Sequence, residues 1–306
     1  MTAQRFDIDP KSFGQKTQTA HHNLAETGLF TDEALIHLLD SFPPANLYVH
    51  AMLGPPSQMQ WFTLDHRGRS GKELLTAAKN GKIWINVTGI QTIDSRYRIL
   101  MSDLYRRLEL SVPGLKILST KATILISSPQ AEVYYHADAP ANLLWHIRGQ
   151  KRLFVYPALD TRFASQDDLE KIFTRESHEG LPYSDSFDAS ATIVDLQPGE
   201  FVSWPHSSPH RVVNIANLNV SLSSEHYTAE ILRREHIYCA NRYFRGLFGK
   251  GFRSTNERGI WPAIKANSYR LIRKIGIHRY PYKTHKYLGR VDLTSPSGWS
   301  RLDRSA

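Results

Sequence analysis

Two short stretches of this chain carry the residue types that bind a redox metal. The first is His136-Ala137-Asp138, which closes the run Glu132 to His136, rich in β-branched and aromatic residues as a strand would be. Side chains alternate along a strand, so Tyr134, His136 and Asp138 share one face, and the imidazole and carboxylate can converge on one ion. Far along the chain a second apolar run, Glu200 to Pro205, leads into His206-Ser-Ser-Pro-His210 and supplies another imidazole, from His206 or from His210. Two imidazoles and one carboxylate on a barrel wall form the facial donor set of non-haem Fe(II) oxygenases, with the opposite face left open. The plainer reading is a surface strand end with a His–Asp hydrogen bond.

These residues need a rigid β scaffold, and the pattern provides one. After a polar leader, Thr31-Asp32-Glu33 caps a helix that Pro43-Pro44 ends. A second helix reads from about Lys72 to Lys79 and stops at Gly81. A third opens at Asp94 or Ser95, carries Tyr97, Leu100, Met101, Leu104 and Leu108 at helical spacing, and closes at Pro113-Gly114. Residues 1–114 therefore read as a mainly helical flank. From Leu115 the character changes to short runs separated by turn residues: LKIL, ATILIS, EVYYHAD, NLLWHI, KRLFVYP, ATIVDL, EFVSWP, HRVVNI and NVSLSS. Such a series without regular intervening helices predicts an antiparallel jelly roll over 115–228. Residues 158–190 interrupt it with an insertion that includes a helix from Gln166 to Thr174. Helices follow at roughly 229–248 and 262–275, and the final 30 residues read as irregular.

The segment HADAPANLLWHIRGQKRLFVYP, followed by LQPGEFVSWPHSSPHRVVN, resembles the jumonji-C and cupin-like 2-oxoglutarate oxygenases, in particular their bacterial and asparaginyl-hydroxylase-like branch. The likeness covers 115–228 well and the flanks weakly. It implies a mainly β fold with helical flanks, a double-stranded β-helix (jelly roll or cupin) barrel. It also implies that His136, Asp138 and His210 bind Fe(II), with His210 favoured over His206 by the loop length after Pro205 and the His210-x-x-x-Asn214 spacing. Lys151, in Gly149-Gln150-Lys151-Arg152, is implied to hold the far carboxylate of 2-oxoglutarate. A long-stemmed cation facing into a barrel suits that task, whereas a turn lysine in solvent is the plainer alternative. Asn142 lines up with a polar residue near the cofactor, or bonds backbone in the turn after Pro140. Tyr134 reads equally as a pocket hydroxyl and as a core aromatic. Related enzymes often place a hydroxyl three residues before the first histidine. Here that residue is Val133, and Tyr134 or Ser127 would have to substitute. His146 reads as a local polar contact, and Trp145 and Trp204 as barrel core. The implied reaction uses O2 and 2-oxoglutarate, releases succinate and CO2, and hydroxylates a C–H bond. The substrate class stays open among a protein side chain, a small molecule, and an acidic sugar or glycolipid.

Composition bounds the rest. The chain has 306 residues, 41% hydrophobic and 22% charged, which is ordinary for a folded domain and excludes bulk disorder. The single cysteine, Cys239, excludes an internal disulfide and a Cys-rich metal site. The leader shows no apolar signal and no stretch is long enough to span a membrane, so a cytoplasmic location is expected. The net charge of +9 is uneven: from Ala229 onward there are 17 Lys and Arg against 5 Asp and Glu, and before it 21 against 24. The basic excess is interleaved with aromatics from Tyr238 to Tyr287, Tyr280 and Tyr282 among them. That tail suits an anionic substrate, a membrane surface or nucleic acid, or else helices that pack on the barrel or make a homodimer. Two other classes stay in view. One is a non-catalytic cupin-like module that binds nucleic acid or membrane through the tail. The other is a cupin-type metal isomerase or dioxygenase without a 2-oxoacid, against which Lys151 discriminates.

Overall fold

The computed structural model describes residues 5–55, 60–129, 131–177, 180–249, 251–277 and 287–302. Tyr280 and Tyr282 of the basic tail lie outside them. The strands are β1 (Gln18–His21), β2 (Leu47–Leu53), β3 (Gln60–Asp65), β4 (Ile83–Thr88), β5 (Ser119–Ser127), β6 (Glu132–His136), β7 (Ala141–Val155), β8 (Thr192–Leu196), β9 (Glu200–Ser203), β10 (His210–Tyr227), β11 (Tyr287–Val291) and β12 (Trp299–Arg301). The helices are α1 (Asp32–Ser41), α2 (Gly71–Asn80), α3 (Ile90–Ile93), α4 (Ser95–Ser111), α5 (Gln166–Phe173), α6 (Ala229–Phe248) and α7 (Ile260–Lys274).

Two long strands organise the barrel. The first half of β7 pairs with the second half of β10, with β9 and β1 on one side and β5, β4, β2, β3, β11 and β12 on the other. The second half of β7 pairs with the first half of β10, flanked by β8 and β6. Both strands bend at the same level, and the bend folds the short sheet over the long one. Gly149 makes it possible on β7: its φ is +85°, and a Cβ there would meet the Asn219 side chain of β10 at 2.7 Å. The register between β7 and β10 breaks between Asn214 and Val220, opposite this glycine.

The caps expected at Thr31 and Asp94 are present, and the second helix adds a capping box that the sequence reading did not single out. The Thr31 hydroxyl accepts from Ala34 N–H, Ser70 and Glu73 form a capping box, and the Asp94 carboxylate accepts from Arg96 N–H. Leu35 and Leu38 of α1, Leu74 and Leu75 of α2, and Tyr97 and Leu108 of α4 join one core with Ile83, Ile85, Val87, Ile124 and Ile126 of the long sheet. Each such side chain, fully buried, contributes roughly 1.5–3 kcal/mol.

The structure departs from the sequence expectation in three places. The N-terminal flank is not helical throughout: it holds β1 to β4, and β4, β2 and β3 extend the barrel sheet beyond β5. Tyr48-Val-His, Trp61-Phe-Thr and Ile83-Trp-Ile-Asn-Val alternate, but the alternation is short and both faces carry apolar residues, so the period is masked. The LKIL run is not a strand; Leu118 N–H instead bonds Tyr227 O at the end of β10. The final residues are not irregular throughout, since β11 and β12 form an antiparallel pair whose first strand adds in parallel to β3.

Candidate metal centre

The sheet brings the two distant stretches face to face. His136 ends β6 and His210 begins β10, and the two are direct cross-strand partners, so their rings lie 4.1 Å apart between centroids. Asp138 follows in the β6–β7 loop, with its carboxylate oxygens 3.8 Å from His136 Nε2 and 3.5 Å from His210 Nε2. One ligand atom from each of His136, Asp138 and His210 lies within 4.8 Å of the other two. Strand alternation continues through the loop. Ala137 and Ala139, on either side of Asp138, turn outward and are fully buried in a small core with Phe173 of α5 and Tyr238 and Cys239 of α6. The insertion helix and the C-terminal helices thus clamp the acidic loop from behind.

Backbone carbonyls set the orientation of both imidazoles. His136 Nδ1 lies 2.8 Å from Tyr134 O, and His210 Nδ1 lies 3.0 Å from Ser208 O. A carbonyl only accepts, so each Nδ1 carries the proton and each Nε2 presents its lone pair to the shared point. Burial, reinforced by the neighbouring His136, pushes His210 down to about 4, which keeps it a neutral donor at physiological pH. Asn142 of β7 donates to Asp138 Oδ2 at 3.1 Å and accepts from the Ser223 hydroxyl at 3.0 Å. Its place is thus beside the carboxylate.

His206, the competing imidazole, is used elsewhere. Its Nε2 lies 2.8 Å from Ala139 O and its Nδ1 lies 3.2 Å from Arg234 Nη1, so one nitrogen donates, the other accepts, and no lone pair is left over. His146 is likewise occupied, bridging Ser221 Oγ at 3.0 Å and Gly149 O at 3.1 Å beside the strand bend. Trp145 is fully buried and donates to Ser224 Oγ at 2.8 Å. Trp204 packs against the His210 ring at 4.7 Å.

A cavity of about 400 Å³ opens from His136, Asp138 and His210, and Lys151 lies in its wall. Lys151 is 4% exposed and its ammonium makes no hydrogen bond or ion pair among the described residues; burial alone pulls it from the ordinary 10.5 to about 7. Its strand neighbour on β10 is Asn214, whose amide donates to Ser127 Oγ and to Ser128 O, both at 2.8 Å. Val133 also lines the cavity, as do Tyr134 and Ser127. Tyr134 is both cavity wall and aromatic packing: its ring stacks on Trp61 at 5.7 Å and lies 5.2 Å from the His136 ring.

Sequence reading missed much of the wall. His50, Trp61, Trp84, Asn86 and Thr88 come from β2, β3 and β4, while Lys121, Arg175 and Glu225 bring charge to the lining. Burial raises the Glu225 carboxyl above its usual range, with Lys121 and Arg175 acting against the shift. Arg175 follows α5 in the insertion with φ +59°, a left-handed conformation uncommon for a non-glycine residue. The insertion is tied to the outer face of the short sheet by Asp188, which accepts from Arg211, Tyr156 and Tyr183.

No family model and no curated protein matches the sequence. Solved structures do match. The Escherichia coli protein YcfD aligns over 90% of this chain and 70% of its own, with a TM-score of 0.51 at 13% identity. The fold is a cupin-type jelly roll. A second structure, titled as YcfD, a ribosomal oxygenase from Escherichia coli in complex with cobalt and 2-oxoglutarate, aligns over 89% and 68% with a TM-score of 0.48 at 11% identity. The jelly-roll architecture expected from the motif-bearing segments is present, with the His136, Asp138 and His210 cluster at the β6–β10 junction and Lys151 on β7.

Proposed function

We propose that this chain is an Fe(II)- and 2-oxoglutarate-dependent oxygenase that hydroxylates a C–H bond of a substrate admitted to the same cavity. Lys151 carries the reading. It is a buried ammonium without an anionic partner among the described residues, in the wall of the cavity that the three donors face. An unpaired buried cation costs several kcal/mol, and a carboxylate bound beside it offsets that cost.

The donor set fits ferrous iron: two imidazoles and one carboxylate on one side, with the cavity side left open. Iron and 2-oxoglutarate, when bound, supply the oxidising chemistry by coupling oxygen reduction to decarboxylation of the 2-oxoacid to succinate and CO2. The chain supplies position. Tyr134 O and Ser208 O hold the two Nε2 lone pairs inward, and Asn142 holds one oxygen of Asp138. Lys151 pairs in the sheet with Asn214, which lies four residues along β10 from His210 on the same face. At the rise of a strand this is a backbone offset of ~13 Å. The lysine stem and a five-carbon dicarboxylate can together bridge that offset, one end toward the donors and the other at the ammonium. Leu144, Leu153, Trp204 and Val212 make the intervening wall apolar, which strengthens the ion pair. YcfD, the similar solved protein, has been crystallised with cobalt and 2-oxoglutarate and with cobalt and succinic acid.

Anaerobic reconstitution with Fe(II) and 2-oxoglutarate tests the assignment. A weak visible charge-transfer band is expected from the anaerobic wild type, with succinate formed once oxygen is admitted, and both are lost in His136→Ala and Asp138→Ala. Lys151→Ala should chiefly raise the 2-oxoglutarate requirement. An unchanged requirement in Lys151→Ala refutes the co-substrate assignment, and absence of both band and succinate refutes the enzyme reading.

A further inference from the structure

We infer that α7 is a docking face for an anionic lipid bilayer. The helix has two apolar faces. Pro262, Ala266 and Tyr269 are buried inward, toward α6 and the small core behind the metal loop. A second set points the other way into solvent: Ile260 is 74% exposed, Trp261 80%, Ile264 50%, Leu271 57% and Ile275 59%. At a hundred degrees per residue these positions fall on one stripe, completed by Ser268. Scattered exposed apolar residues are normal, but four on one stripe of a 15-residue helix, continued by Ile275 at its C-cap, form a contiguous patch.

The charge around the stripe selects the occupant. Arg270 and Lys274 are exposed along one edge of the stripe and Arg258 lies just before the helix, and none of the three makes an ion pair among the described residues. The sequence from Arg258 to Val291 holds nine Lys and Arg and no Asp or Glu. A second copy of the chain would bring the same cations against themselves across a two-fold axis, which disfavours that partner. Nucleic acid offers anions but little use for a row of isoleucine and leucine. An acidic membrane surface offers both: acyl chains at the interface for the stripe, with Trp261 at the headgroup level, and phosphates for the flanking cations. No described helix is long and apolar enough to cross a membrane, so the contact is a peripheral one. The inference stands independently of the metal-site reading, because none of these residues lines the cavity of the three donors.

Co-sedimentation of the full chain with vesicles decides it. Wild-type protein should bind phosphatidylcholine vesicles that carry roughly a third phosphatidylglycerol, and should bind pure phosphatidylcholine far more weakly. Arg270→Glu with Lys274→Glu should weaken binding roughly thirtyfold, and added salt should do the same to the wild type. Ile264→Asp with Leu271→Asp should abolish binding while the thermal transition stays in place, since both side chains face solvent. Failure of the wild type to bind acidic vesicles, equal binding to neutral ones, or undiminished binding by the Ile264/Leu271 variant overturns the inference. So does a dimer, seen by light scattering, that the same variant dissociates, because the face then belongs to a second copy. Tighter binding of wild type to single-stranded RNA than to the vesicles, lost in the same variant, also overturns it.

Discussion

If Lys151 receives the far carboxylate of 2-oxoglutarate, binding of that ligand must be coupled to a proton. In the ligand-free cavity burial brings the ammonium from 10.5 to about 7, and no carboxylate acts to raise it. A bound carboxylate restores the charged form, so the complex holds a proton that the free protein has begun to lose above pH 7. Below that point both states are protonated and affinity is flat. Above it the free protein must first take up a proton, and the apparent Kd rises about tenfold per pH unit, or about a hundredfold by pH 9. Calorimetric titration of the manganese-loaded protein with 2-oxoglutarate measures both quantities. Repeating it in buffers of different ionisation enthalpy should show uptake approaching one proton per ligand at the alkaline end. Lys151→Met removes the titrating group and should bind weakly with no such slope. Lys151→Arg keeps a charge that does not titrate and should also lose the slope. A Kd that changes less than about threefold between pH 7 and 9, or the same slope in Lys151→Met, refutes the coupling and with it the placement of the diacid.

The same residue makes a stability prediction. Between about 7 and 10.5 the unfolded chain holds a proton that the folded, ligand-free chain lacks, so folding stability rises with pH across that window. Lys151→Met should therefore stabilise the ligand-free protein near pH 7 by about 3 kcal/mol, read by denaturant unfolding, while it abolishes turnover. Asn142→Leu removes the group that holds Asp138 and should weaken metal binding about 10–100-fold in a competition assay, with the fold intact by circular dichroism. His206→Phe should leave metal affinity unchanged, because both its nitrogens serve Ala139 and Arg234; a loss as large as that of His210→Ala would restore it as a ligand. Gly149→Ala forces a Cβ onto the Asn219 side chain at a φ of +85° and should cost about 2–4 kcal/mol, measured as a lowered denaturant midpoint.

The cluster of His136, Asp138 and His210 was legible because its chemistry is local. His136 ends a strand and Asp138 follows two residues later in the loop that continues it, and the run into His210 carries its own strand and turn signals. Choosing between His206 and His210 was harder, since both follow the same proline and only tertiary contacts, Ala139 O and Arg234, occupy one of them. The helices were legible from caps and period, as Thr31 and Asp94 show, whereas the Ser70–Glu73 capping box was not read. The bend at Gly149 split β7 into two apparent strands, and the irregular stretch from Asn214 to Val220 split β10. A turn signal in sequence looks the same whether the chain reverses or merely folds one sheet over another. The strands of the N-terminal flank were illegible because apolar residues on both faces mask the period; β2 and β3 are neighbours in sequence, but β4 pairs with the distant β5 and β3 with the distant β11.

That difference in legibility follows function. Everything that would hold iron and the diacid comes from β6, β7, β10 and the loop behind α5 and α6, where strand position alone fixes the chemistry. The wall a substrate would touch is built instead from β2, β3 and β4 and from Arg175 in the insertion, elements that the barrel itself does not require. Trp84, Asn86 and Thr88 face the cavity, while the alternate residues Ile83, Ile85 and Val87 are fully buried in the main core. One face of β4 is therefore committed to stability and leaves the other free to vary without loss of fold. Substitutions that retune substrate choice should fall on that second face and in the insertion, and should shift KM for the substrate while leaving the 2-oxoglutarate requirement alone. Paired changes at Trp84 and Arg175 that moved the 2-oxoglutarate requirement instead would show that the two halves of the cavity are not separable.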